Sequence, residues 1–294
     1  MSVFFKILFN SLESGSVYAL AALGIVLIFR TSKTTNFAQG SIGTLNAFVA
    51  ATLFLSWGWS IWAAALISIV TAFITGVLID RFIIRPASKA SAISKQIITL
   101  GLIMIIIGLI PMLFGVDPLK FDYFIAVSPA TQVDIFGAVI SYNTLFIITV
   151  TLGLMGFLFW FLQYTKWGLA IRVTASNEVT SRLMGVPTKN VTMATWAFAA
   201  IFGTLAALFI APAGSVNSFM MTDVQVNAFF ACVLGGFGTF YGAVIGAYMI
   251  ALAKNSATYY ISLEWGNVIV YVIILLLLYI KPNGLFGKKT QKKV

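Results

Sequence analysis

The sequence contains no histidine, and Cys232 is its only cysteine. An internal disulfide is thereby excluded, and zinc, haem or iron-sulfur chemistry lacks the ligands it needs. Charge is scarce as well: Asp, Glu, Lys and Arg make up 9% of 294 residues, too few to cover a soluble domain of this size. Acidic residues are the scarcest, 8 against 18 Lys and Arg. No G-x-x-x-x-G-K-[ST] segment occurs, so the chain does not bind ATP through a P-loop of its own. No carboxylate pair lies inside an apolar stretch, and Glu13 and Asp80 both fall near the ends of such stretches. Catalysis has no visible apparatus, and no catalytic or metal-binding residues are expected.

What the chain has in quantity is apolar length. Hydrophobic residues make up 60% of it, and its mean hydropathy is +1.01. Apolar runs lie near residues 4–29, 37–56, 59–79, 97–116, 142–162, 191–212, 226–253 and 266–280. At roughly 20 residues per crossing these account for most of the chain. In lipid only a helix or a closed barrel satisfies its own backbone, and the runs are far too long for barrel strands. The expected fold is therefore an all-α integral membrane bundle of about eight segments, forming a single transmembrane domain over 1–294. The net charge of +10 sits in short basic clusters between the runs. Loop orientation and anionic headgroups account for such clusters better than nucleic acid does. The first run follows Lys6 and has no small-x-small pattern before Arg30, so it is expected to persist rather than be cleaved as a signal peptide.

Charge also orients the chain. The connection holding Arg81, Arg85, Lys89 and Lys95, the 164–190 loop with Lys166, Arg172, Arg182 and Lys189, and the 281–294 tail are all basic and should face the cytoplasm. The 117–134 connection carries Asp117, Asp122 and Asp134 against Lys120 and fits the outer face. With those ends placed, residues 226–253 must enter and return, yet 28 residues are too few for two full crossings. Gly235, Gly236 and Gly238 fall in the middle, which predicts two shorter helices joined at a glycine break, a broken or re-entrant pair. Lys6 and Glu13 interrupt the first run, so residues 4–12 are expected at the interface, with the crossing beginning near Gly15.

Three motifs stand out. Gly238, Gly242 and Gly246 make two overlapping GxxxG steps, read as a helix-packing stripe or as part of a translocation path. In Asn36-Phe37-Ala38-Gln39-Gly40, Asn36 could cap a helix beginning near Phe37; Gln39 then has no role, so a polar lining of a path remains an equal reading. In the 164–190 loop, Ser176 or Asn177 can cap a short helix that Gly185-Val186-Pro187 would stop. A capped cytoplasmic helix has the form of a docking element, with Arg172, Glu178, Arg182 and Gly185 as its candidate contacts, and a solvated connector is the plainer alternative.

The chain resembles the permeases of branched-chain (hydrophobic) amino acid ABC importers, in particular the shorter of their two permease types. The resemblance is carried by Asn10 through Gly24, Asn36 through Gly40, Arg85-Pro86 with Thr99 through Leu102, Gly168 through Gly185, Val233 through Gly238 with Gly242 and Gly246, and Pro282 through Gly287. It implies a second homologous permease subunit, two cytoplasmic ATP-binding subunits and an extracytoplasmic solute-binding protein as partners, no cofactor, and a location in a bacterial or archaeal plasma membrane. It also implies that the 168–185 loop contacts the ATPase. Asn36, Phe37, Gln39, Gly40, Gly235, Gly236 and Gly238 are the path candidates. Gln39 stands where many members have histidine, and Ser181 where alanine is more usual. Urea and short-amide permeases share the architecture, so the solute class stays open between them and amino acids. An ion-coupled transporter is a more distant alternative, since it would need carboxylates at mid-membrane.

The orientation is testable with single cysteines in a chain whose Cys232 has been replaced. Cysteine at Lys89 or Lys289 should be labelled only from the cytoplasm, and cysteine at Asp122 only from outside. Labelling of position 89 from outside intact cells contradicts the topology.

Overall fold

The computed structural model describes residues 2–262, 264–281 and 284–287. The lysines at 288, 289, 292 and 293 in the basic tail lie outside the described residues, as do Pro282 and Asn283. The apolar runs are helices. They are α1 (Ser2–Ser32), α2 (Gln39–Trp57), α3 (Ile61–Ile79, widening into one looser turn over Asp80–Ile84), α4 (Ala92–Phe114) and α5 (Tyr142–Tyr164). Two short helices follow, α6 (Lys166–Ser176) and α7 (Glu178–Leu183), then α8 (Thr188–Ile210), α9 (Thr222–Gly235), α10 (Phe240–Tyr260) and α11 (Trp265–Ile280). Six of them, α1 to α5 and α8, are long and apolar enough to cross a bilayer, so this is a multi-pass membrane protein.

The expectation of an all-helical chain needs one correction. β1 (Gln132–Ile135) and β2 (Ala138–Ser141) pair antiparallel, with Gln132 opposite Ser141 and Ile135 opposite Ala138. Phe136 and Gly137 both have positive φ, 54° and 81°, as the tight primed hairpin turn requires. The Gly137 N–H donates to Asp134 Oδ1 at 2.7 Å, which holds the turn closed. So short a segment lies between two apolar runs and carries no run of its own. The Phe136 ring stacks on Phe5 of α1, centroids 4.7 Å apart, fixing the hairpin to the end of the bundle where α1 begins.

α1 is the centre of the bundle. It is one unbroken helix from Ser2, and its continuous burial begins at Gly15: every residue from 15 to 28 is buried. Helices hydrophobic on all sides are buried on all sides, and α5, α8, α9 and α10 supply the cover. Ser11, Glu13 and Ser16 of α1 find polar partners inside this packing. Ser16 Oγ lies 3.0 Å from Tyr248 Oη, Asn255 Nδ2 donates to Ser11 Oγ at 3.1 Å, and Thr144 Oγ1 donates to Glu13 at 2.8 Å. By contrast α3, α4 and α5 turn Leu66, Val70, Met104, Met112, Leu152 and Phe157 outward, an apolar surface suited to acyl chains.

α9 and α10 form an antiparallel hairpin around the glycine break. Gly236 has φ +90°, a conformation that side chains resist, and it ends α9. From there Gly235 faces Gly242, Ala231 faces Gly246, and Asp223 meets Lys254 at 2.7 Å. The close-contact stripe thus consists of Gly235, Gly242 and Gly246. Gly238 precedes α10, and a Cβ there would meet nothing within 4 Å, so it takes no part in the packing stripe assigned to it from the GxxxG spacing. The pair also extends beyond 226–253, because the Lys254 charge is matched by Asp223 and α10 continues to Tyr260. With 21 residues α10 reaches about 31 Å, and α9 with 14 reaches only about 21 Å.

At Gly242 a Cβ would collide with the Gly235 carbonyl across the hairpin. Gly242→Leu should therefore overpack the seam at a cost of about 1–3 kcal/mol. Detergent-extracted variant is expected to melt at lower temperature and assemble poorly. Normal assembly and transport would mean that the hairpin can open without loss.

Candidate functional site

Between α1 and α2 the chain reverses through Lys33, at φ 53°, and residues 34–36 are buried although they are not helical. Backbone groups freed there must find partners inside the protein. Asn36 Oδ1 accepts from the Ala38 N–H at 3.0 Å, Thr99 Oγ1 of α4 accepts from Phe37 N–H at 3.2 Å, and Gln225 Oε1 of α9 accepts from Gly40 N–H at 2.6 Å. Asn36 therefore caps the turn, and the helix begins at Gln39, two residues later than the spacing suggested. Gln39 is wholly buried; its Oε1 accepts from Asn36 Nδ2 at 3.2 Å and its Nε2 donates to the Ala199 carbonyl of α8 at 2.6 Å. Gly24 and Gly203 make room for it, since a Cβ at Gly203 would stand 2.8 Å from Nε2.

Phe37 and Gly40 turn the other way, toward a cavity of about 140 Å³ between α2, α4 and the start of α9. Ser41 and Thr44 line it with them, Ile103 and Ile107 give it an apolar wall, and Gln225 closes it. The Gln225 amide nitrogen has no hydrogen-bond partner, though its oxygen is engaged with Gly40. Gln225 sits one residue before the apolar run 226–253 and so outside the segment that marks the break. A polar amide one step outside that boundary was the available signal.

The other path candidates lie elsewhere. Gly236 and Gly238 border a second cavity, about 1130 Å³, where α1 and α5 end and α6 and α10 begin. Gly235 packs in the hairpin seam. Phe37 and the break are nevertheless linked, because Phe229 contacts Phe37 at 5.5 Å and Phe237 at 5.6 Å between ring centroids. Arg30 and Arg172 face the larger cavity. Burial, and then the nearby Arg30, lower the pKa of Lys33 from its ordinary value.

The 164–190 segment folds as two helices rather than one. Thr165 Oγ1 caps α6 by accepting from Gly168 N–H at 3.0 Å, and Asn177 Oδ1 caps α7 by accepting from Thr180 N–H at 3.0 Å. Gly185 ends α7 at φ +83°, and Val186 N–H returns to the Ser181 carbonyl at 3.0 Å. Glu178 and Arg182 pair at 2.7 Å. Val179, Leu183 and Met184 stand 70%, 84% and 73% exposed, an unusual load of bare apolar surface for a six-residue helix. Glu178, Arg182 and Gly185 are thus together, and Arg172 is apart, held by Gln163 at 3.2 Å. Among the described residues no cluster of Cys, Asp and Glu could hold a metal.

The family model described as the branched-chain amino acid transport system permease component matches residues 7–278. The chain belongs to this family. The permease is 27% identical to the high-affinity branched-chain amino acid transport system permease protein LivH of Escherichia coli, over 99% of this chain and 98% of that one. It is 26% identical to the corresponding protein BraD of Pseudomonas aeruginosa, over 98% and 97%. A more distant relative is the ribose import permease RbsC of Escherichia coli, 25% identical over 94% and 85%. Among solved structures, a chain of PsaBC from Streptococcus pneumoniae shares the fold, with a TM-score of 0.50 and 14% identity over 95% and 93%. The permease is a transport component and not itself an enzyme.

Buried Asn36 Nδ2 has Gln39 as its partner, so Gln39→Leu should orphan it at a cost of about 1–3 kcal/mol. Thermal unfolding of the purified variant is expected at lower temperature. An unchanged midpoint would show that the buried amide pair contributes nothing to stability.

Proposed function

We propose that this permease is the membrane subunit of an ABC importer for branched-chain or other hydrophobic amino acids, working in the plasma membrane of a bacterium or archaeon. The family match over residues 7–278 carries the reading. Its partners are then a second permease, two ATP-binding subunits and a solute-binding protein, and the basic connections face the cytoplasm. In that orientation α8 leads outward and α9 re-enters from the outer side as a half-length helix. The break at Gly236 lies toward the cytoplasm, and α10 crosses back.

The cavity beside Phe37 and Gly40 supports a path for a small amphipathic solute. Phe37, Ile103 and Ile107 offer an apolar surface to an aliphatic side chain, and Ser41, Thr44 and Gln225 set polar residues beside it. Sites for drug-sized ligands are about 300–1,000 Å³, so 140 Å³ suits one side chain, with the second permease completing the site. The apolar wall favours amino acids over urea. Gln39 holds α1, α2 and α8 in register behind that wall. Ion coupling finds no support in the carboxylates that adjoin the helices, because Asp80 is paired with Arg85, Asp223 with Lys254, and Glu13 is bonded to Thr144.

Energy from the partner ATPases enters through α7. Its exposed Val179, Leu183 and Met184 form the apolar part of the docking surface, while Glu178 and Arg182 supply its polar rim. Arg172 contributes indirectly by bracing the elbow between α5 and α6.

A Cβ at Gly185 would meet no neighbour, so Gly185→Val acts only through its backbone, which needs φ +83°. Expressed with its partner subunits, the variant should insert normally but lose ATPase retention or leucine-stimulated hydrolysis. The unaltered chain reconstituted alone should give no uptake. Uptake by that chain without any ATPase, or hydrolysis stimulated by urea and not by leucine, overturns the reading.

A further inference from the structure

The second cavity has a charge imbalance that transport of a zwitterion does not explain. Arg30 and Arg172 both line it. The Arg30 guanidinium lies 4.7 Å above the Phe240 ring and forms no ion pair among the described residues. Arg172 donates to Gln163 Oε1 and to the Gln163 carbonyl, each at 3.2 Å, and its Nε is buried with no partner. The chain has 8 carboxylate side chains, and none lines this cavity. Asp80, Glu178 and Asp223 are committed to other cations, and Glu13 to Thr144. Asp117, Asp122, Asp134 and Glu264 lie in connections at the opposite end of the bundle. Two like charges in a partly desolvated space are costly until an anion joins them.

We infer that this cavity binds the headgroup of an anionic phospholipid. Its volume of about 1130 Å³ far exceeds the needs of a bare phosphate. Its wall is largely aromatic, with Phe159, Trp160, Phe237 and Tyr241 around the two arginines. Trp160 and Tyr241 are 54% and 52% exposed, and Phe157, one turn back on α5, is 59% exposed. The wall is therefore continuous with the outward apolar face of α5, along which an acyl chain can lie. Aromatic side chains of this kind collect at the membrane interface, and basic pockets between helices suit phospholipid headgroups. A phosphodiester accepts charge-assisted hydrogen bonds from guanidinium, and the aromatic wall takes the glycerol and upper chains. A bound headgroup would also brace Arg172 and Gln163, and with them the elbow leading to α7.

The test uses the assembled complex in nanodiscs of phosphatidylethanolamine with phosphatidylglycerol, then native mass spectrometry of the lipids retained after release into detergent. The wild-type complex should retain phosphatidylglycerol over phosphatidylethanolamine. Arg172→Gln and Arg30→Gln should each weaken that selectivity about tenfold, as expected for loss of one charged hydrogen-bonding partner. Arg172→Lys should keep part of it. Adding inorganic phosphate should not displace the lipid. No selectivity in the wild-type complex, which is also the outcome if a partner subunit fills the cavity, overturns the proposal. So does equal retention by Arg172→Gln, or displacement by inorganic phosphate, which would mark a site for free anions.

Discussion

Hydrocarbon offers no hydrogen bonds, so every place where a helix of this permease stops inside the bundle must be satisfied by the protein itself. Two breaks among the described residues are treated differently. At residues 33–40 side chains do the work: Asn36, Thr99 and Gln225 accept the N–H groups of Ala38, Phe37 and Gly40 around the start of α2. At residues 235–239 the backbone does most of it. Gly236 turns with positive φ, Thr239 Oγ1 donates to the Gly235 and Gly236 carbonyls, and the chain returning after α11 donates from Leu285 N–H to the Leu234 carbonyl at 2.7 Å.

Each break adjoins a cavity. Irregular backbone at membrane depth is tolerated only where protein or a cavity covers it, and discontinuous helices place unsatisfied polar groups where a solute can use them. The smaller cavity has Ser41, Thr44 and Gln225 beside its apolar wall. The larger one inherits two arginines and an aromatic wall. Phe229, touching both Phe37 and Phe237, packs between the two breaks.

Close packing makes this arrangement stiff where it must be. Small residues let α1, α8, α9 and α10 approach one another, and van der Waals contact replaces the hydrophobic drive that lipid cannot supply. The outer helices α3, α4 and α5 carry bulkier apolar side chains outward. The 164–190 segment is held by different means: Gly168 lets α6 fold tightly against the end of α5, where a Cβ would run into the Leu162 carbonyl, and Asn177 and Gly185 bound α7.

Much of this was legible in the linear chain. Apolar runs located the helices because a bilayer demands continuous apolar length, and glycine spacing located the break because only glycine turns there without strain. A cap at Ser176 or Asn177 and the stop at Gly185 were readable for local reasons too, and the structure puts the cap at Asn177. Local pattern could not show which way a side chain faces once helices pack. Gln39 and Gly40 are neighbours in sequence, yet one is locked against α8 and the other opens onto a cavity. Asp223 and Lys254 sit 31 residues apart and pair only because the hairpin folds them together, and the Phe136-Gly137 hairpin fell between the apolar runs. Sequence alone determined where this protein spans, breaks and caps, since those follow from the solvent and from backbone sterics. Tertiary packing decided which polar groups are used up internally and which are left free to bind, because that depends on partners far away in the chain.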